Sequence, residues 1–341
     1  MKKKTALIFG ITGQDGSYLS RLLLEKNYVI IGVKRKSSSF NTDRIDDLFT
    51  NYENRNKFKL IYGDLTDAMS ISSIIEDVKP DEIYNLGAQS HVKVSFEMPE
   101  YTTNVDALGT LRILEAIKKI NKIKKIKFYQ AGTSEMFGSS KPPQDENTLF
   151  QPQSPYAVAK LYAHWITKNY RDSYKIFASN GILFNHESPQ RGGTFVTKKV
   201  ISFFCRFLKN KNQKLFLGNI YAKRDWGHAK DYVVAMWKIL QQKKSDDYVI
   251  ATGKHYTVKE FINKVCKKLK IKLIWKGKGL NEVGFIEGKK IIFISKKYFR
   301  PLEVESLKGN SNYARKKLNW KPKYNLDSLI DDMINSEING K

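Results

Sequence analysis

Near its amino terminus the chain reads Thr5-Ala6-Leu7-Ile8-Phe9-Gly10-Ile11-Thr12-Gly13-Gln14-Asp15-Gly16, and no other string narrows the choice of fold as much. Thr5 to Phe9 is an apolar run of strand length, the mark of a strand buried on both faces. Helical periodicity follows from Ser17 to Lys26. Strand, glycine-rich turn and helix in direct succession suit a pyrophosphate. The glycines allow a tight turn and close approach of the backbone, and the helix N-terminus faces the anion. The spacing is Gly-x-x-Gly-x-x-Gly, one residue longer at its start than the commonest dinucleotide fingerprint. The strand and helix around it therefore carry the reading.

The same alternation continues. Val29 to Val33 reads as a second strand and runs into Lys34-Arg35-Lys36-Ser37-Ser38. An acidic residue at that point would hold a ribose 2′-hydroxyl; cations and hydroxyls suit a 2′-phosphate, so NADP is expected over NAD. Phe58 to Tyr62 is a third strand, ending at Gly63-Asp64-Leu65, with Asp64 either meeting an adenine or serving as an ordinary turn residue. Glu82 to Leu86 is a fourth, followed by Gly87-Ala88-Gln89-Ser90-His91, whose small residues would let a cofactor lie across the strand ends. A helix is expected from Tyr101 to Lys118, a fifth strand from Ile126 to Gln130 and a sixth from Ile176 to Leu183. This is an α/β chain with a Rossmann-type, doubly wound parallel sheet.

Between the last two strands lies Ser154-Pro155-Tyr156-Ala157-Val158-Ala159-Lys160. Ser154 can cap a helix and Pro155 fits its first position. Tyr156 and Lys160 then share a helix face. An ammonium beside a phenol favours the phenolate, which would lower the tyrosine pKa and make Tyr156 a general base. The same spacing at Tyr313 and Lys317 carries no such expectation, because it lies far beyond the sheet. Chain order brings the glycine turn, Thr133 and Glu135 at one strand end, and Tyr156/Lys160 to the carboxyl edge of one sheet.

From Thr194 onward the pattern is irregular, with helices near Lys198 to Lys209 and Ala229 to Gln241, and strands at Tyr248 to Thr252 and Lys289 to Ile294. A smaller mixed α/β lobe is expected to close over the sheet edge. Residues 1–185, joined by 228–255, form the cofactor-binding domain on this reading, and 186–227 with 256–341 form the substrate lobe. Arg224 and Arg300 are candidate anion ligands or surface salt-bridge partners. His91 and His186, at strand ends, are ligand contacts or satisfied structural residues.

Composition excludes several classes. The chain has 341 residues, 41% of them hydrophobic, ample for a large core. Its net charge of +26 comes from scattered lysines without a basic arm, which speaks against nucleic-acid binding and for an attraction to anionic ligands. Cys205 and Cys266 lie far apart without metal-ligand spacing, and the five histidines show none, so no metal is expected. A reduced, cytoplasmic setting follows, and no signal peptide or membrane-length apolar run is present.

Taken with Thr133, Tyr156 and Lys160, the glycine motif resembles the extended short-chain dehydrogenase/reductases. Gly10 to Gly16, Ser38-Ser39-Phe40-Asn41-Thr42, Leu86 to His91, Thr133-Ser134-Glu135, Leu183 to Pro189, Arg224-Asp225-Trp226-Gly227-His228 and Tyr298-Phe299-Arg300-Pro301 together resemble the GDP-mannose 4,6-dehydratase family over nearly the whole chain. The resemblance implies NADP, a GDP-sugar substrate, a GDP-4-keto-6-deoxy-sugar product on a route to sugars such as GDP-fucose, and a homo-oligomer, a tetramer or dimer, whose Arg35 to Arg44 loop reaches a neighbour. It implies cofactor contacts at Gly10, Thr12, Gly13, Gln14, Asp15, Gly16, Arg35, Ser37, Ser38, Asp64, Leu65, Leu86, Gly87, Ala88, Gln89, Ser90, Tyr101, Lys160, His186 and Arg191. Substrate contacts fall at Ser90, His91, Asn185, Lys199, Arg224, Arg300 and Glu303, and catalysis at Thr133, Ser134, Glu135, Tyr156 and Lys160. Related dTDP-glucose dehydratases carry an Asp where this chain has Ser134, so Glu135 is expected to serve as base and then as acid. The chain departs from the family at Gln190, where an arginine is usual, and at Gly193, where a glutamate is expected. Both departures leave GDP-manno-heptose as the alternative substrate.

Overall fold

The computed structural model describes residues 3–340; Met1 and Lys2, the first of the basic residues before the opening strand, and Lys341 lie outside the described residues. Six strands are labelled here: β1 (Thr5–Phe9), β2 (Val29–Lys34), β3 (Phe58–Tyr62), β4 (Glu82–Asn85), β5 (Lys127–Ala131) and β6 (Phe177–Leu183). With Asp247–Ile250 they form a seven-stranded sheet in the order Asp247–Ile250, β6, β5, β4, β1, β2, β3. Every pairing in it is parallel. The order turns back at β1, between β4 and β2, so the crevice between β1 and β4 is the switch point where ligands of such sheets bind.

Alternate residues of these strands feed two cores. On one face Leu7, Phe9, Ile83 and Phe128 pack with Ile71, Ile75, Ile113 and Ile117 of the crossover helices Ala68–Val78 and Gly109–Ile120. On the other, Ala6, Ile8, Tyr84 and Tyr129 pack with Leu19 and Leu23 of Gln14–Glu25 and with Met236, Ile239 and Leu240 of Ala229–Leu240. Burial on both faces explains why these strands read as apolar runs rather than alternating ones. A further core joins the helices Val196–Lys209, Val258–Lys268 and Leu326–Ile338 to a four-stranded sheet of Leu273–Lys276, Val283–Ile286, Lys289–Ile294 and Leu215–Leu217.

Two elements differ from the sequence expectation in an informative way. The first helix starts at Gln14 rather than Ser17, so the last glycine of the motif lies inside its first turn. The helix expected over Tyr101 to Lys118 is three pieces: Pro99–Thr103, a wide π turn at Asn104–Leu108, and Gly109–Ile120. Among the described residues no helix is long and apolar enough to cross a membrane.

The glycines of the first turn are required by space. Gly10 has φ +79°, and a Cβ there would sit 2.7 Å from the Gly87 nitrogen and 2.8 Å from the Leu86 carbonyl. A Cβ on Gly16 would lie 2.5 Å from the carbonyl oxygens of both Gly10 and Ile11. Both contacts are with backbone, which cannot swing aside. Gly16→Ala should therefore lower unfolding stability by about 1–3 kcal/mol through overpacking, read as a reduced urea midpoint in ligand-free protein.

Candidate active site

The parallel strands all end at one edge, and the turns after β1, β2, β3, β4, β5 and β6 line a single cavity of about 840 Å³ there. All the expected site residues line it except Ser37 and Ser38, which are exposed on the loop after β2. The cavity also takes in Phe195, Tyr298 and Asn219 from the carboxyl-terminal part of the chain, none of which the sequence assigned a site role.

At the floor, the helix Gln14–Glu25 begins at Gly13 with no side-chain cap, and Gly13, Gln14, Asp15 and Gly16 all line the cavity. Unpartnered N–H groups at a helix start favour an anion. Asp15 would oppose one, but its carboxylate accepts a 2.7 Å hydrogen bond from Nε2 of His186, while His186 Nδ1 donates to the Phe184 carbonyl at 2.8 Å. Both ring nitrogens thus face acceptors, which suits the imidazolium. Burial works against that charge, yet Asp15 outweighs it and the His186 pKa is raised; burial likewise opposes the Asp15 carboxylate, and His186 outweighs it and lowers the pKa. His186, left open between contact and structure in the sequence, has a structural role, locking the glycine turn to the end of β6, and it also lines the cavity.

After β3, Asp64 accepts from Thr66 N–H at 2.9 Å and from the Thr66 hydroxyl at 2.8 Å, so it closes its own turn while lining the cavity. Arg35 donates to the Tyr101 hydroxyl at 2.5 Å.

Thr133 follows β5 and caps the short helical turn Ser134–Met136, with its hydroxyl accepting from the Glu135 N–H at 3.2 Å. Ser154 caps the helix Pro155–Tyr174, accepting from the Ala157 N–H at 3.1 Å, with Pro155 at the first position as its sequence requires. Tyr156 and Lys160 are both buried on that helix, at 8% and 3% exposure, and both line the cavity. The Tyr156 hydroxyl interacts with Thr133.

The expectation that Lys160 lowers the tyrosine pKa is not met in the ligand-free protein. Burial pushes the Tyr156 phenol well up, the Asp106 and Glu135 charges push the same way, and only Thr133 and Arg191 oppose them. The Lys160 ammonium is itself disfavoured by burial, and the charge that counters this is the Asp106 carboxylate. Asp106, on the π turn, was missed by sequence reading. Its neighbours Val105 and Ala107 are core residues, and nothing in that string marks a buried acid.

Several of the remaining charges are paired. Arg300 Nη1 lies 3.2 and 3.3 Å from the two Glu135 oxygens, and Arg224 Nε lies 3.9 Å from Glu135. Arg224 also approaches Glu303 at 3.6 Å and donates to the Val304 carbonyl at 2.8 Å. Both arginines are thus in the site rather than on the surface. Arg191 pairs with Glu187 at 3.1 Å and stacks over Phe195. Lys199 donates to the Phe216 carbonyl at 2.7 Å and lies over the Tyr298 ring. His91 has an orphaned, buried Nδ1, and Asn185 an orphaned carbonyl oxygen. Ser134 is buried at the cavity wall. Gln190 and Gly193 do not line the cavity, and a Cβ on Gly193 would meet open space. Among the described residues no cluster of His, Cys, Asp or Glu has the makings of a metal site.

A glycine-turn cleft at the switch point of a doubly wound sheet, with Tyr156-x-x-x-Lys160 inside it, defines an extended short-chain dehydrogenase/reductase fold. Solved structures agree. UDP-glucuronic acid 4-epimerase from Bacillus cereus, in complex with UDP-glucuronic acid and NAD, matches with a TM-score of 0.81 at 20% identity, covering 99% of this chain and 100% of that one. The dTDP-glucose 4,6-dehydratase from Bacillus anthracis, in complex with NAD, matches with a TM-score of 0.78 at 20% identity over 97% of this chain and 96% of that one. At such identity the likeness is one of fold. Sequence carries it further: residues 7–333 match the GDP-mannose 4,6-dehydratase family. The Vibrio cholerae GDP-mannose 4,6-dehydratase is 52% identical over 99% of this chain and 94% of its own length. The human GDP-mannose 4,6-dehydratase is 51% identical over 98% and 92%. The chain belongs to the GDP-mannose 4,6-dehydratase family.

The Asp15–His186 lock has a pH signature. His186 contributes fully below its ordinary pKa of 6.5 and its share is lost as pH rises through the raised folded value. Asp15 contributes fully above its ordinary 3.8 and its share is lost as pH falls through the lowered folded value. The pair stabilises most between those two ordinary values. His186→Gln should therefore lower the melting temperature more at about pH 5.5 than at alkaline pH, the difference narrowing as pH rises through the raised folded value.

Proposed function

We propose that the chain is a GDP-mannose 4,6-dehydratase in activity as well as in family, a hydro-lyase that converts GDP-mannose to GDP-4-keto-6-deoxymannose. The observation that carries this is the meeting of Tyr156, Thr133 and Glu135 with Arg224 and Arg300 in one cavity. An epimerase of this fold needs the tyrosine and lysine but no base for C5, and Glu135 is that base.

The residues fit a dinucleotide at the β1–β4 crevice: an uncapped helix start lines it, and Gly10 and Gly87 leave no room for side chains there. Lys34 and Arg35 line its end, with no carboxylate after β2, which favours NADP. Bound NADP would supply hydride acceptance from C4, hydride return to C6 with no net redox, and positive charge in the cavity when oxidised.

The protein's own groups do the rest. Tyr156 takes the O4 proton, with Thr133 hydrogen-bonding the same oxygen. The resulting 4-ketone acidifies the C5 proton, which Glu135 removes. Ser134 is no acid, so the protonated Glu135 then gives its proton to the departing C6 hydroxyl. Arg224 and Arg300 take the diphosphate by charge-assisted hydrogen bonds, with Glu303 toward the ribose and Asn185, Ser90, His91 and Lys199 around the substrate. The lobe of residues 186–227 and 256–341 holds the nucleotide sugar over the sheet edge. Free, buried Cys205 and Cys266 suit a reducing cytoplasm. Phe40 is 95% exposed on the loop after β2, which suits a tetramer or dimer in which that loop meets a neighbour. The departures at Gln190 and Gly193 lie off the cavity wall and give GDP-manno-heptose no support.

Incubation with GDP-mannose and, separately, GDP-manno-heptose should show loss of one water, by mass, from the first; loss from the heptose alone would overturn the reading. Arg35→Ala should weaken NADP binding far more than NAD binding in a fluorescence titration. Equal losses would remove Arg35 from the 2′-phosphate.

The steps separate by mutation. Tyr156→Phe should move no hydride. Glu135→Gln leaves oxidation at C4 possible but removes the C5 base, so turnover should fall about 10²- to 10⁴-fold while reduced nicotinamide absorbance builds on the enzyme. Normal turnover of Glu135→Gln would make Glu135 a spectator.

A further inference from the structure

The π turn at Asn104–Leu108 interrupts what would otherwise be one helix from Pro99 to Ile120. Such wide turns are rare and occur often at functional sites, because they re-aim a side chain. Here the residue re-aimed is Asp106, 1% exposed. Its Oδ1 accepts the Gln89 N–H at 2.7 Å. Its Oδ2 is buried with no hydrogen-bond partner. The Gln89 side chain in turn accepts from the His91 N–H at 2.8 Å and donates to the Thr102 hydroxyl at 3.1 Å, so the cavity-lining turn from Ala88 to His91 is folded around this point. The charged group facing Asp106 is Lys160, from the helix Pro155–Tyr174. Tyr156 on that helix faces the same carboxylate, and in addition Glu135 and Arg191.

A buried carboxylate with one oxygen unpartnered is expensive to keep. It is explained here by the helix packed against the π turn, Pro155–Tyr174, whose Lys160 ammonium is just as buried, lies beyond direct ion-pair contact, and has this carboxylate as the charge that favours it. We propose that Asp106 is a positioning residue of the reaction, the counter-ion that holds the Lys160 ammonium on the Tyr156 face of its helix while pinning the Ala88–His91 turn. This rests on the reading that Tyr156 and Lys160 act in proton transfer from the sugar. The titration behaviour is consistent: burial raises the Asp106 pKa to about 7, with Lys160 and the Gln89 N–H holding it from rising further. Burial disfavours the Lys160 ammonium and Asp106 favours it, so the protonation of each group depends on the other.

Asp106→Asn keeps an oxygen for the Gln89 N–H and removes the charge. Lys160, without its counter-ion, should then lose its proton at lower pH. The alkaline fall of kcat should move down by about one unit or more. At neutral pH kcat should drop about 10- to 100-fold, with KM for GDP-mannose within about threefold. Acetylation of Lys160 in cofactor-free protein, followed by peptide mass spectrometry against pH, should shift the same way. In the Lys160→Met background Asp106→Asn should cost little more, because it acts through that lysine. An unshifted kcat profile and acetylation curve, or additive losses in the double variant, would overturn the proposal. If Lys160→Met alone leaves kcat intact, the proton-transfer reading itself fails. Should Asp106→Asn not fold, Asp106→Asn/Lys160→Met must fold, since it leaves no unpaired charge; its failure would make Asp106 a purely structural residue and overturn the proposal.

Discussion

Two backbone turns meet at the switch point of the sheet with no space between them, and the site depends on that contact. Gly10, at φ +79°, brings the turn after β1 against Leu86 and Gly87 of the turn after β4. Any side chain at Gly10 would push the turns apart, because the atoms it meets are main-chain. With the turns in contact, the helix after β1 starts with its N–H groups directed at the crevice floor, and the turn from Ala88 to His91 is delivered to the crevice wall. From there Gln89 connects to Asp106, and Asp106 faces Lys160. A packing requirement at one glycine is thus linked, through three residues, to the protonation state of a group on a helix far away in sequence.

The cavity is also an electrostatic construction. Most of the carboxylates at its wall stand against a cation: Asp15 with His186, Glu135 with Arg300 and Arg224, Glu187 with Arg191, and Glu303 with Arg224. Asp64 closes its own turn, and Asp106, not itself on the wall, faces Lys160. A buried charge left alone would neutralise itself by shifting its pKa. Pairing holds the groups where an anionic, multiply hydroxylated ligand can exchange contacts with them. The overall charge of +26 does not produce this arrangement, since most of the lysines are surface residues; it raises the local concentration of anions outside. Asp225 is a useful contrast. It is as deeply buried, but its oxygens are satisfied by the N–H groups of Thr252, Gly253 and Gly309 and by the Thr252 hydroxyl. Such a carboxylate ties loops together and needs no cation.

Much of this was legible in the sequence because it rests on local rules. The strand–glycine–helix opening, the apolar strands and the Ser154-Pro155 helix start each depend on a few adjacent residues, and they fixed the sheet, its carboxyl edge and the residues gathered there. What escaped needed distant partners. The π turn leaves no distinctive mark in the sequence: Thr102-Thr103 before it and Gly109-Thr110 after it are weak helix formers, which suggests a less stable helix rather than a wider turn. Asp106 reads as one more polar residue on an amphipathic helix until the Lys160 helix is laid against it. The first helix was started three residues late, since Gly16 reads as turn when its close approach to Gly10 is unknown. Ser37 and Ser38 read as ligands from their position after β2, yet the loop carries them outward.

The tyrosine shows why a motif and a mechanism are different statements. Spacing alone places Lys160 one helical turn from Tyr156 and suggests that one charge activates the other. Inside the cavity that charge is already engaged with Asp106, and burial dominates the phenol. A tyrosine held neutral by burial is not at odds with the proposed role of a base that acts only on a bound alcohol. On that reading the phenol gains acidity when positive charge is added beside the existing pair, as bound oxidised NADP would supply. On the proposed mechanism the Asp106–Lys160 pair would then set how much further charge is needed. Its carboxylate favours the ammonium and opposes the phenolate, so the balance between Asp106, Lys160 and the bound ligands, rather than the Tyr-x-x-x-Lys spacing, would decide when the proton moves.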